Sequence, residues 1–194
     1  MISLHTREET LALFPQLPTS NYSTDAYTYP ETFRTYILGL DTIQGDYGAL
    51  LSQELFKLCT LMNVASMVFI GDSETPWNPL VDNESRYEKY FSNLLPDAQF
   101  NGAISVTNDD LPAFFQPLFE LVTQNMSQPV TYFMDTHGNL LGNICSYGNI
   151  HIDLLKTDIQ LHFEKSVSET RLIKIPAGAC GQGQFNSPSR SMRI

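Results

Sequence analysis

Hydrophobic positions recur along this chain with two different periods, and the change falls near Val130. Before it, helical spacing dominates. Tyr47, Leu51, Leu55, Leu58 and Met62 repeat every three or four residues behind Asp46, a good N-cap, and predict a helix over 46–62. Thr6 with Glu9 forms a capping box that opens a short helix, which must stop by Pro15. Pro30 starts another through Leu38, with Phe33, Tyr36 and Ile37 on one face and Gly39 as its stop. Asn83 caps a helix carrying Tyr87, Tyr90, Phe91 and Leu94. Asp109 and Asp110 begin one with Leu111, Phe114, Phe115, Leu118, Leu121 and Val122 inward, and Pro117 either kinks it or marks its true start. Two strands interrupt this series: the buried, β-branched run Val64 to Ile70, ended by Gly71 and Asp72, and Ala103 to Thr107. Gln16 to Tyr29 is polar without a period and reads as a loop.

From Pro129 the period is two. Val130 to Met134 and Leu140 to Ser146 flank a hairpin turn at His137-Gly138, and Gly148-Asn149 turns the chain into Ile150 to Leu155. Ile159, Leu161 and Phe163 alternate with Gln160, His162 and Glu164, the pattern of a strand with one wet face, and Thr170 to Ile175 adds another. The expected fold is α+β, with helices packed on one face of a mainly antiparallel sheet, helix-rich in its N-terminal part and a β-meander in its C-terminal part. Residues 1–175 form one domain, and 176–194 form a flexible basic tail rich in Gly and Ser.

Composition supports a folded domain: 194 residues, 42% hydrophobic and only 16% charged, are enough for a sizeable core. The longest apolar run falls well short of the roughly 20 residues of a membrane helix, so no membrane contact is expected. The start of the chain lacks a signal-peptide pattern. Cys59, Cys145 and Cys180 are too few and too scattered for a disulfide framework, which points to a reducing, cytoplasmic compartment. The net charge is −10 and unevenly spread. From Arg171 onward there are four basic residues and no acidic one, leaving seven basic against 21 acidic residues before it, a net of −14. An acidic body repels phosphate backbones and excludes nucleic acid as a partner of that surface; it attracts a basic protein.

The candidate chemistry gathers in the meander: Asp135, His137, Cys145, His151, Asp153 and His162. Alternation puts His151 and Asp153 on one face. With Lys156-Thr157 as a two-residue turn, His151 faces His162; with a loop two residues longer, Asp153 faces His162 instead, and either set suits a metal or a shared proton. With a two-residue turn at Gly148-Asn149, Cys145 pairs with Ile152 and points away from His151; only a three-residue loop brings them together. Cys145 is therefore expected to be buried and inert. Asp72 is a turn former or a strand-end carboxylate. Trp77, between Pro76 and Pro79, is either an interface anchor or a lid on the core.

In size, charge and lack of a catalytic motif the chain resembles the small acidic proteins that bacteria and phages make to block another protein, such as toxin-immunity proteins. That resemblance implies a non-enzymatic binding or inhibitor module without cofactor. Its expected contact surface is Asp72, Glu74, Trp77, Asp82 and Glu84, meeting a basic partner. The alternatives are a metal-assisted hydrolase using His151, Asp153 and His162, or a structural subunit anchored by its tail.

Overall fold

The computed structural model describes residues 1–21, 26–41, 46–77, 86–124, 130–176 and 178–180. Its strands are β1 (Ile2–His5), β2 (Thr19–Asn21), β3 (Ala26–Thr28), β4 (Arg34–Leu40), β5 (Ser66–Ile70), β6 (Ala103–Thr107), β7 (Tyr132–Asp135), β8 (Leu140–Ile144), β9 (Ile150–Leu154) and β10 (Leu172–Ile175). Among the described residues five α-helices accompany them: α1 (Arg7–Leu13), α2 (Tyr47–Leu61), α3 (Arg86–Leu94), α4 (Leu111–Gln124) and α5 (Gln160–Ser168). The fold is α+β. Eight strands make one antiparallel sheet in the order β1-β6-β5-β7-β8-β9-β4-β10, while β2 and β3 pair separately. No helix among the described residues is long and apolar enough to cross a membrane.

Alternation along the strands sends side chains to two clusters. Tyr36, Leu38 and Leu40 of β4, Phe69 of β5, Phe133 of β7 and Ile150, Ile152 and Leu154 of β9 join Leu51, Leu55 and Leu58 of α2. Phe91 of α3, Phe114 and Phe115 of α4, and Phe163 of α5 complete this main core. The opposite face carries a smaller cluster, Val68, Ile70, Met134 and Leu141, covered by Leu17 with Leu11 of α1 and Phe14. Helical residues therefore pack on both faces of the sheet, and four of its eight strands precede residue 130.

Local signals explain the elements that form as expected. Thr6 and Glu9 complete a reciprocal capping box at α1, and Asp46 accepts from Ala49 N at the start of α2. Pro117 lies inside α4, whose helix runs on both sides of it.

Two elements differ from the sequence pattern. Residues 34–40 form strand β4 rather than a helix from Pro30, because Tyr36, Leu38 and Leu40 bury at period two between β9 and β10. Phe33, expected on the inner face of that helix, is 48% exposed. Residues 160–168 form helix α5 rather than a strand. Phe163 and Val167, four apart, bury with Ile159 packed beside them, while Leu161 is left 81% exposed. The segment read as a loop contains β2 and β3, and β1 pairs with β6 at the sheet's other end.

Candidate functional site

The β8–β9 hairpin decides which polar side chains meet. Cys145 N donates to Asn149 O (3.0 Å) and Gly148 N donates to Cys145 O (2.9 Å). Strand pairing resumes at Ile144 with Ile150 and Asn143 with His151. The loop is thus three residues, Ser146 to Gly148. Gly148 holds φ +79°, the left-handed conformation such loops favour in a glycine. A shift of one residue exchanges the faces of a strand. Cys145 therefore shares a face with Asn149 and His151, away from the main core, instead of pairing with Ile152.

Cys180 reaches the same place from the neighbouring edge. β10 ends at Ile175 opposite Ile37, and Ile37 lies opposite His151. A turn closed by Ala179 N donating to Pro176 O (3.0 Å) follows. The Cys180 Sγ then stands 3.4 Å from Cys145 Sγ and 3.2 Å from His151 Nε2. The buried amide of Asn149 fixes this approach, its Nδ2 donating to Cys180 O (3.1 Å) and lying 3.4 Å from the thiol. Residues 178–180, assigned to the tail by composition, belong to this site; 181–194 lie outside the described residues.

Two positions along β9, Asp153 is buried and accepts hydrogen bonds from the hydroxyls of Tyr29 and Thr35. Tyr29 stacks on Tyr27 and meets Tyr132 edge-on, each pair with centroids 6.0 Å apart. The Tyr27 and Tyr132 hydroxyls are 2.9 Å apart. A tyrosine cluster, two of its rings well exposed, thus adjoins the thiol and imidazole group on the same sheet face.

Burial sets the electrostatics here. It lowers the basicity of His151, partly offset by the Asp153 charge, so the neutral imidazole is favoured at neutral pH. It pushes the Cys145 thiol up to about 11, with the neighbouring Cys180 adding to the rise. It raises Tyr29 as well, and the hydrogen bond to Asp153 adds to that. Cys59, fully buried in the main core, is pushed far up by desolvation and is chemically inert.

The other sequence candidates lie elsewhere. His162 is exposed on α5, whose inner residues join the main core, so the sheet separates it from His151 and Asp153. Asp135 is fully buried and binds the backbone of its own hairpin, accepting from His137 N, Asn139 N and Leu140 N. Asp72 is also buried, closing a turn by accepting from Glu74 N and Thr75 N. Glu74 is exposed, while Asp82 and Glu84 lie outside the described residues. Trp77 is a lid on the core: 3% exposed, stacked on Phe91, with Nε1 donating to Gly102 O (2.8 Å).

Chemically, the site offers two thiols and one neutral imidazole. A cysteine nucleophile needs a base that a third group orients. Here Asn149 is engaged with Cys180 rather than with the imidazole, and the Asp153 oxygens are held by Tyr29 and Thr35. Converging soft donors suit a transition metal better. Reasoning from sequence missed Cys180; for Cys145 the available clue was the Ser-Tyr-Gly loop, whose glycine announces a three-residue turn. No protein-family model, curated protein or solved structure matches the chain.

Proposed function

We propose that the protein is a non-enzymatic binding module of the inhibitor or immunity type, which takes a basic protein on the tyrosine-lined part of its sheet face. The observation that carries this reading is the Tyr27, Tyr29 and Tyr132 cluster. Tyr27 is 56% exposed and Tyr29 39%, yet their hydroxyls are tied to Tyr132 and Asp153. Rings held in place before binding offer large amphipathic contact area at low entropic cost, which is why tyrosine is enriched at interfaces. The net charge of −10 supplies the complement to a basic partner and speeds its approach.

This surface replaces the one centred on Trp77, whose side chain is buried in the core and offers too little area to anchor a partner. A hydrolase built on His151, Asp153 and His162 lacks support, since those side chains do not converge.

Affinity capture from the cells that make the protein tests the reading. The wild-type chain should retain one basic protein in stoichiometric amount at low salt and release it as ionic strength rises. Tyr27→Ala should weaken retention by about tenfold or more, as loss of a tyrosine hot spot does. Capture of no basic protein, or equal and salt-insensitive capture by both chains, would refute it.

A further inference from the structure

We propose that Cys145, His151 and Cys180 bind one zinc-like transition-metal ion, which ties the chain at Cys180 to the β8–β9 hairpin. The three ligand atoms all lie within 4.8 Å of one another. Tetrahedral zinc, with Zn–S near 2.3 Å and Zn–N near 2.0–2.1 Å, separates two sulfurs by about 3.8 Å and a sulfur from a nitrogen by about 3.5 Å. The two separations made by Cys180, 3.4 Å to the Cys145 sulfur and 3.2 Å to the His151 nitrogen, reach that geometry with shifts of a few tenths of an ångström. A flat three-coordinate arrangement needs sulfurs farther apart, about 4 Å at the same bond length.

The donor set also selects the metal. Two sulfurs and an imidazole suit zinc or another soft to borderline ion, and disfavour magnesium or calcium, which take oxygen ligands. The nearest buried carboxylate on this face, Asp153, already accepts from two hydroxyls. Asn149 serves the site without joining it: its buried amide grips the Cys180 carbonyl and so holds the thiol in place before metal arrives. Binding converts both thiols to thiolates, forms two metal–sulfur bonds and one metal–nitrogen bond, and releases two protons to solvent. A fourth position remains for water or a side chain from outside the cluster.

The test uses the full chain under reducing conditions, titrated with cobalt(II) and then zinc(II). One cobalt per chain should bind, with thiolate-to-cobalt charge-transfer absorption and the visible bands of tetrahedral cobalt, and zinc should displace it. Cys145→Ser, His151→Ala and Cys180→Ser should each weaken binding by about 100-fold or more, beyond the 10- to 100-fold typical of supporting residues. His162→Ala should bind as the wild type does. Circular dichroism of the metal-free variants checks that each is folded. Alkylation of the wild-type chain needs no variant: zinc should protect Cys145 and Cys180 together. Absence of stoichiometric binding, cobalt spectra without a thiolate band, or alkylation of both cysteines undiminished by zinc would overturn the proposal.

Discussion

Asp153 is a carboxylate taken out of water at the middle of a sheet face, and its two hydroxyl donors decide whether that is tolerable. The members of the group are unequal. Thr35 is exposed and Tyr29 partly so; on losing Asp153 they can turn to water, whereas the carboxylate cannot. Asp153→Ala should therefore cost about 1 kcal/mol, while Tyr29→Phe with Thr35→Val should cost about 3 kcal/mol, because it strands a buried charge. Urea unfolding of the variants measures both. An equal or smaller loss in the double variant would show that these hydroxyls do not hold the carboxylate. At this scale the sequence was only partly legible: the shared face of His151 and Asp153 followed from alternation, but neither hydroxyl did, since Thr35 lay in a segment read as helix.

Between elements, α5 is joined to the sheet through Glu164. Its carboxylate accepts from the Tyr36 hydroxyl (2.6 Å) and lies 3.6 Å from the Lys174 ammonium, which itself sits 5.0 Å above the Tyr36 ring. The Tyr36 bond, with Gln160 second, holds the Glu164 carboxyl below its ordinary value of 4.5. Burial together with Glu164 pushes Tyr36 up to about 12, so it stays a neutral donor through the neutral range. A carboxyl lowered in the folded state adds stability that is fully present above its unfolded value and is lost as pH falls through the folded one. Glu164→Gln should accordingly lower the thermal midpoint at pH 7, and the gap from wild type should close in acid below about pH 4. A gap that persists unchanged in acid would rule out this linkage. The same two elements show where pattern reading fails. Strong local signals marked α1 and α2: a capping box, an Asp N-cap and a long helical repeat. For β4 and α5 both periods fit a short stretch, and the choice was made by distant neighbours, β9 and β10 for one and the Tyr36 ring for the other. Glycine spacing was equally decisive. At Gly142 an added Cβ would lie 2.4 Å from the His151 carbonyl oxygen and 2.5 Å from the Phe133 ring, so β8, paired between β7 and β9, admits no other residue there without displacement.

At the scale of the molecule, overall charge and apolar content were plain from composition, but which sheet face carries the candidate site was not. That face depends on where β4 sits. Early in the chain, it is wedged between β9 and β10, with Tyr36 opposite Ile152, more than a hundred residues away. Among the described residues no other strand of the sheet has both of its neighbours so far off in sequence. Closing that gap costs chain entropy long before it returns contacts, which places refolding in milliseconds to seconds rather than microseconds. If β4 locks last, Leu38→Ala should speed unfolding and leave the refolding rate nearly unchanged, which stopped-flow measurements would read directly. Slowing of refolding in proportion to the lost stability would instead put β4 in the nucleus. On the order expected here, a ribosome must deliver the residues through Ile175 before the strand beside His151 can be enclosed. Until then its apolar row, Tyr36, Leu38 and Leu40, stays available to any chaperone that holds nascent chains.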